Sequence, residues 1–479
     1  MNRRLIAFTL GQILLLEAVL MLLTAAVSLV FHEPSVPFLL SALCTAIPGG
    51  FLLFFRPKTH VIYAREGFII VSLAWLALSL FGTLPFLLSK DIPNFADALF
   101  ETVSGFTTTG ATVLPNVELL SHGVLFWRSL THLIGGMGIL VFVMAVIPTN
   151  DGHGMHILRA EMPGPNAEKL VSRMSDTARI LYKIYIVMTA FLVILLRFGG
   201  MSWFDSLLHA FGTAGTGGFS SMNASVGAYN SAYLDIVLGT FMILFGINFN
   251  LYYLILLHRV RDAIRSEELL VYLGIVVFSV IAIALNIRQT CESVGLAFRQ
   301  SFFQVSSIIT TTGYSTADFN TWPAFSRTVL VLLMFVGGCA GSTAGGLKVI
   351  RVWTLTKAGI ADVLKMLHPK SIALVRINGK PVQDKNIRGM QSYLWIYALI
   401  FAFSTLLLSL EQEDLLSTFT AVSACLNNVG PGLGTVGPTG NFAGFTAAGK
   451  LLLSLDMLAG RLEIYPILLL FSPAVWKNK

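Results

Sequence analysis

The sequence predicts an all-α integral membrane protein, with two leading helices followed by four helix–half-helix–helix repeats. Three observations carry that expectation. Only 12% of the 479 residues are charged and 55% are hydrophobic, whereas a soluble globular chain carries about 25% charged residues. Ten apolar stretches approach the about 20 residues needed to cross roughly 30 Å of hydrocarbon. Among the later stretches lie four segments too short to cross, each with a polar, glycine-containing tip.

The apolar stretches run near 5–30, 36–55, 67–88, 124–147, 178–198, 232–257, 269–286, 325–350, 391–410 and 446–472. The first two form a leading pair within 1–55. The first is too long for a signal-peptide core and lacks a clear small-residue cleavage site, so it reads as a membrane helix. The other eight pair up around the short segments. This divides the chain into repeats at 67–147, 178–257, 269–357 and 391–472, with a basic loop at 358–390.

A formal net charge of +7 suggests nucleic acid until its placement is considered. Arg3, Arg4, Arg56, Lys58, Arg65, Arg159, Lys169, Arg173, Arg259, Arg261, Arg265 and the cluster from Lys357 to Arg388 all fall on one side of the membrane. Glu33, Asp91, Glu411, Glu413 and Asp414 fall on the other. The positive-inside rule then places both termini in the cytoplasm, with no role for nucleic acid. The basic loop is expected to be a solvated face, suited to a soluble partner or anionic lipid headgroups.

The four short segments read "ETVSGFTTTGATVLPN", "HAFGTAGTGGFSSMN", "SFFQVSSIITTTGYSTADFN" and "TAVSACLNNVGPGLG". Each begins as a short helix, near 97–109, 205–216, 298–310 and 415–427, of about half the membrane's thickness. They align on Gly110, Gly218, Gly313 and Gly430. Thr108 and Thr109, Thr216 and Gly217, Thr311 and Thr312, and Asn428 and Val429 stand just ahead of those glycines. The fourth copy is the most divergent.

Irregular backbone is tolerated at membrane depth only when it is buried in protein or lines a water-filled path. Glycine permits positive φ, so successive carbonyls can face one axis. Rings of such oxygens replace the hydration shell of a cation. The short helices aim their partially negative C-terminal ends at the same place. A pseudo-fourfold cation pore is the expected result.

At these residues the chain resembles the Trk/Ktr/HKT superfamily of potassium transporters, most closely the TrkH/TrkG-type subunit of bacterial Trk systems. "TTTGAT", "GTGGFS", "TTTGYS" and "NNVGPGLG" are similar to its four filter sequences. The resemblance implies potassium uptake across the bacterial inner membrane, with K+ bound at Thr108, Thr109, Gly110, Thr216, Gly217, Gly218, Thr311, Thr312, Gly313, Asn428, Val429 and Gly430. It also implies a homodimer and a cytoplasmic TrkA-type nucleotide-binding regulatory subunit. No nucleotide site is visible in this chain. Gly110 stands where some plant members that transport sodium have serine, which favours potassium.

The stretch "FVGGCAGSTAGGLKVIR" places five glycines between 337 and 346. Each weakens a helix by about 1 kcal/mol relative to alanine, so the segment should unwind. It resembles the family's intramembrane gating loop, which implies gating roles for Gly337, Gly338, Gly341, Ser342, Thr343, Gly345, Gly346 and Lys348. Close helix packing through small residues is the alternative. A phosphate-binding loop is excluded, because Lys348 does not directly follow Gly346.

A charge at the bilayer centre costs about 2.5–3.5 kcal/mol even on lenient scales, so Arg461 should face water or a carboxylate. The resemblance implies a pore-facing electrostatic barrier there. An ion pair with Asp456 or Glu463 is the other reading.

Other signals are weaker. Cys44, Cys291, Cys339 and Cys425 show no metal or disulfide spacing. His153 and His156 read as loop histidines, and Glu17 as a helix-packing residue. Arg128, Arg197, Arg299 and Lys450 are expected to snorkel. No nucleophile–base constellation suggests an enzyme. A cation symporter coupled to protons or sodium, with broken helices around a midplane site, is the alternative transporter.

Overall fold

The computed structural model describes residues 2–57, 64–138, 174–369, 374–411 and 414–476. Among the described residues it is mostly helical, with one short hairpin. Six described helices are long and apolar enough to cross a membrane: Arg3–Val30, Val36–Leu53, Arg65–Ser89, Ala178–Phe198, Glu267–Ile287 and Asp384–Leu408. The leading two pack along each other through glycine. A Cβ on Gly11 would lie 2.8 Å from the Gly49 carbonyl oxygen, so no larger residue fits that crossing.

The other four expected spans are not continuous helices. Ala232–Phe245 and Phe249–Leu256 meet at a 90° bend, where Asn248 caps the second helix by accepting from the Asn250 amide at 3.0 Å. Ala324–Val336 stops at Gly337, and helix resumes only at Val349–Leu367. Ala447–Arg461 and Tyr465–Phe471 are separated by Leu462, Glu463 and Ile464, the last two with positive φ. His122–Gly136 also ends well short of 147, and residues 139–147 lie outside the described residues. Hydropathy misses these breaks because it sums side-chain composition and is blind to backbone partners.

The four short helices are Phe95–Phe106, Trp203–Gly215, Val294–Ile309 and Leu415–Leu426. Each starts on a side-chain cap of the type that satisfies orphan amides. Asn94, Ser202, Ser293 and Asp414 accept from amides of the first turn.

The basic segment is more ordered than a loop. The Val349–Leu367 helix leads to a hairpin pairing Arg376–Ile377 with Lys380–Pro381, and the Asp384–Leu408 helix follows. Asn378 and Gly379 both have positive φ, as a tight hairpin turn requires. Glu267 pins the turn, bonding the Asn378 amide at 3.0 Å and the Lys357 ammonium at 2.6 Å.

Candidate functional site

All four short helices end in the same way. The amides of Thr108, Thr216, Thr311 and Asn428 reach back to the carbonyls of Gly105, Thr213, Ile308 and Cys425 at 3.0–3.2 Å. The amides of Thr109, Gly217, Thr312 and Val429 reach the carbonyls of Ser104, Gly212, Ser307 and Ala424 at 2.8–2.9 Å. This double closure is the left-handed helix cap, which satisfies carbonyls that would otherwise be orphaned. Its left-handed residue is usually glycine, yet Thr108, Thr216 and Thr311 have φ of 55°, 55° and 58°, and Asn428 has 56°. For a β-branched residue such a backbone is an outlier, costing on the order of 1–3 kcal/mol.

Two residues later the chain returns to positive φ at Gly110 (77°), Gly218 (78°), Gly313 (84°) and Gly430 (96°). The surroundings of these glycines close into a ring. A Cβ on Gly110 would strike the Gly217 carbonyl oxygen, and one on Gly218 the Thr312 oxygen. One on Gly313 would strike the Val429 oxygen, and one on Gly430 the Thr109 oxygen at 2.6 Å. Each glycine therefore abuts the carbonyl of the residue before its counterpart in the next segment, and the fourth returns to the first. All four glycines line one cavity of about 160 Å³.

Behind the ring, side chains tie the strands down. The Thr107 and Thr109 hydroxyls lie 2.8 Å apart, as do those of Thr310 and Thr312. Asn428 donates to the Thr109 hydroxyl at 3.0 Å, joining the fourth strand to the first. On the cavity wall Arg128 pairs with Glu101 at 2.7 Å, and that carboxylate also receives the Thr112 hydroxyl and the Val113 amide. Gln304 occupies the corresponding position in the third segment, where its amide oxygen, suitably turned, accepts from the Thr316 amide at 2.9 Å.

Two residues expected to snorkel do not. Arg128 is buried against Glu101, and Lys450 is buried with its ammonium 2.6 Å from Asp97. Their partners lie far away in sequence, and local reading missed them. Arg299 pairs with Asp235 at 3.3 Å, and Arg197 donates to the Met201 carbonyl. Glu17 is buried in the first helix. His153 and His156 lie outside the described residues.

The glycine-rich segment folds beneath the ring without helix from Gly337 to Lys348, and Gly337, Gly341, Gly346 and Lys348 all have positive φ. Its hydrogen bonds reach the second, third and fourth repeats. The Cys339 amide donates to Gly246, and the Gly341 carbonyl accepts from Phe249. The Ala340 amide donates to the Glu268 carboxylate at 2.6 Å. The Gly345 amide donates to the Thr311 hydroxyl at 2.6 Å, and the Gly346 amide to the Asn427 carbonyl at 3.1 Å. Ser342 closes onto Cys339, Lys348 onto Ala344, and Gly338 accepts from Val349.

Arg461 extends the same network. Its guanidinium donates to Thr343 at 2.9 Å and to Gly135 and Gly136 at 2.5 and 2.6 Å. The two carboxylates weighed as its partners are engaged elsewhere: Asp456 accepts from Ser404, and Glu463 pairs with Arg351.

A family model described as a cation transport protein, TrkH, matches residues 35–478. The Trk system potassium uptake protein TrkH of Salmonella typhimurium is 36% identical over 486 residues, with both chains covered completely. Escherichia coli K12 TrkG is 33% identical over 485 residues, covering 99% of each. The crystal structure of the potassium transporter TrkH from Vibrio parahaemolyticus superposes with a TM-score of 0.89, at 33% identity and with complete coverage of both chains. The chain thus belongs to the TrkH family of cation transport proteins.

Proposed function

We propose that this protein takes up potassium through a selectivity filter built by one chain from four non-identical strands. The cyclic contact of Gly110, Gly218, Gly313 and Gly430 with the carbonyls of Gly217, Thr312, Val429 and Thr109 is the observation that carries this reading. Carbonyls layered around one axis replace the water shell of a dehydrated cation. The four helix C-termini behind them add partial negative charge. Relatives named as potassium uptake proteins favour K+ as the ion.

The 337–348 segment acts as the gate, and Arg461 adds a positive barrier on the same path. The basic helix and hairpin that follow give a cytoplasmic nucleotide-binding partner of the TrkA type a surface from which to move the gate. In reconstituted vesicles, uptake should discriminate K+ and Rb+ from Na+, and Gly313→Ser should weaken that preference. Unchanged selectivity in Gly313→Ser would remove the filter assignment.

A further inference from the structure

The residue just before each ring glycine differs in how its back is filled. Thr109 and Thr312 point hydroxyls at Thr107 and Thr310. Val429 is fully buried in an apolar cluster with Ile308, Leu333 and Met334. Gly217 has no side chain of its own.

Its backbone does not demand glycine, because Gly217 is outside the set of positive-φ positions. A neighbouring side chain is the obstacle. A Cβ at Gly217 would lie 2.5 Å from Cγ and Nδ1 of His132 and 2.6 Å from Cδ2. His132 comes from the His122–Gly136 helix and is completely buried. Its ring stacks on Phe219, just beyond the second ring glycine, with centroids 4.2 Å apart and an interplanar angle of 22°. The Arg128 guanidinium lies 4.0 Å from the same Phe219 ring. The imidazole thus fills the volume behind the second strand that Thr109, Thr312 and Val429 fill behind the others.

We infer that His132 is a specificity-determining residue that acts by positioning: it supplies from an adjacent helix the packing that the second filter strand lacks. This rests on the filter reading above. With glycine at both 217 and 218, the second strand has the greatest backbone freedom of the four, and the imidazole restricts it. The signal in the sequence is the pairing of a missing side chain in one repeat with an aromatic polar residue in the helix before it.

The test exchanges the two side chains and reads the K+ to Na+ uptake ratio of the purified full-length protein in vesicles. His132→Ala should lower the ratio, and Gly217→Thr should lower K+ uptake by collision with the ring. Combined, the threonine occupies the vacated space, and the ratio should recover by about fivefold or more over His132→Ala, as expected for residues in direct contact. His132→Leu serves where alanine fails to fold: it should hold the ratio by itself and give no rescue with Gly217→Thr. Additive effects, or an unchanged ratio in His132→Ala, would overturn the inference. Gly313→Ser in the same assay separates the two levels. If it lowers the ratio while 132 and 217 are uncoupled, only this inference falls; if it does not, the filter itself falls.

Discussion

Thr311→Val removes one hydrogen bond between the ring and the segment beneath it. The Thr311 hydroxyl accepts from the Gly345 amide at 2.6 Å, and both residues are buried. Valine keeps the branched shape and leaves the amide without that acceptor. A buried donor left unsatisfied costs about 1–3 kcal/mol. That penalty applies only while the 337–348 segment lies against Thr311, so it raises the free energy of this arrangement relative to one with the segment withdrawn. At about 1.4 kcal/mol per tenfold, the open-to-closed ratio should rise roughly fivefold to 150-fold. Single-channel recording in planar bilayers, without any cytoplasmic partner, reads that ratio directly. Thr311→Ser retains the hydroxyl and should behave like the unaltered protein. An open probability in Thr311→Val that is unchanged or lower, with K+ selectivity intact, would refute a gate held by this bond.

Other expectations follow from the buried charges. Arg351→Gln breaks the pair with Glu463 and should also raise open probability in planar bilayers. Adding Glu463→Gln should have little further effect, since both substitutions remove one interaction. Glu101→Gln strands the Arg128 cation on the cavity wall, where the pair's side chains are 2% and 0% exposed. Breaking such a pair costs about 3–5 kcal/mol, so the thermal midpoint in detergent and the K+ uptake rate should both fall. Lys450→Met should cost less, about 1–3 kcal/mol after allowing for the partly exposed Asp97, and should lower the same midpoint by a smaller amount. Lys450→Met with Asp97→Leu should recover part of the loss.

The glycines were the most legible part of this chain, because a position that needs positive φ and close backbone approach leaves few other choices. The short helices were legible too, from their length and polar tips. Two kinds of feature were hidden. The bend at Gly246–Asn248 and the break at Glu463 lie inside stretches apolar enough to pass as spans, and depend on which distant groups take up the freed backbone. The Gly246 carbonyl, for instance, is satisfied by Cys339 from the next repeat. Arg128 and Lys450 were misread for a related reason: a charge near a helix end looks the same whether it reaches water or a partner such as Asp97, 353 residues away.

A ring assembled from four copies of one subunit can change only four positions at a time, and must stay symmetric. Here each strand is encoded separately, so the ring accommodates a threonine pair twice, a bare glycine once and an asparagine–valine step once. A single codon change therefore alters one strand of the ring and leaves the other three as they were. If the ring is the filter proposed above, ion preference can be altered one strand at a time.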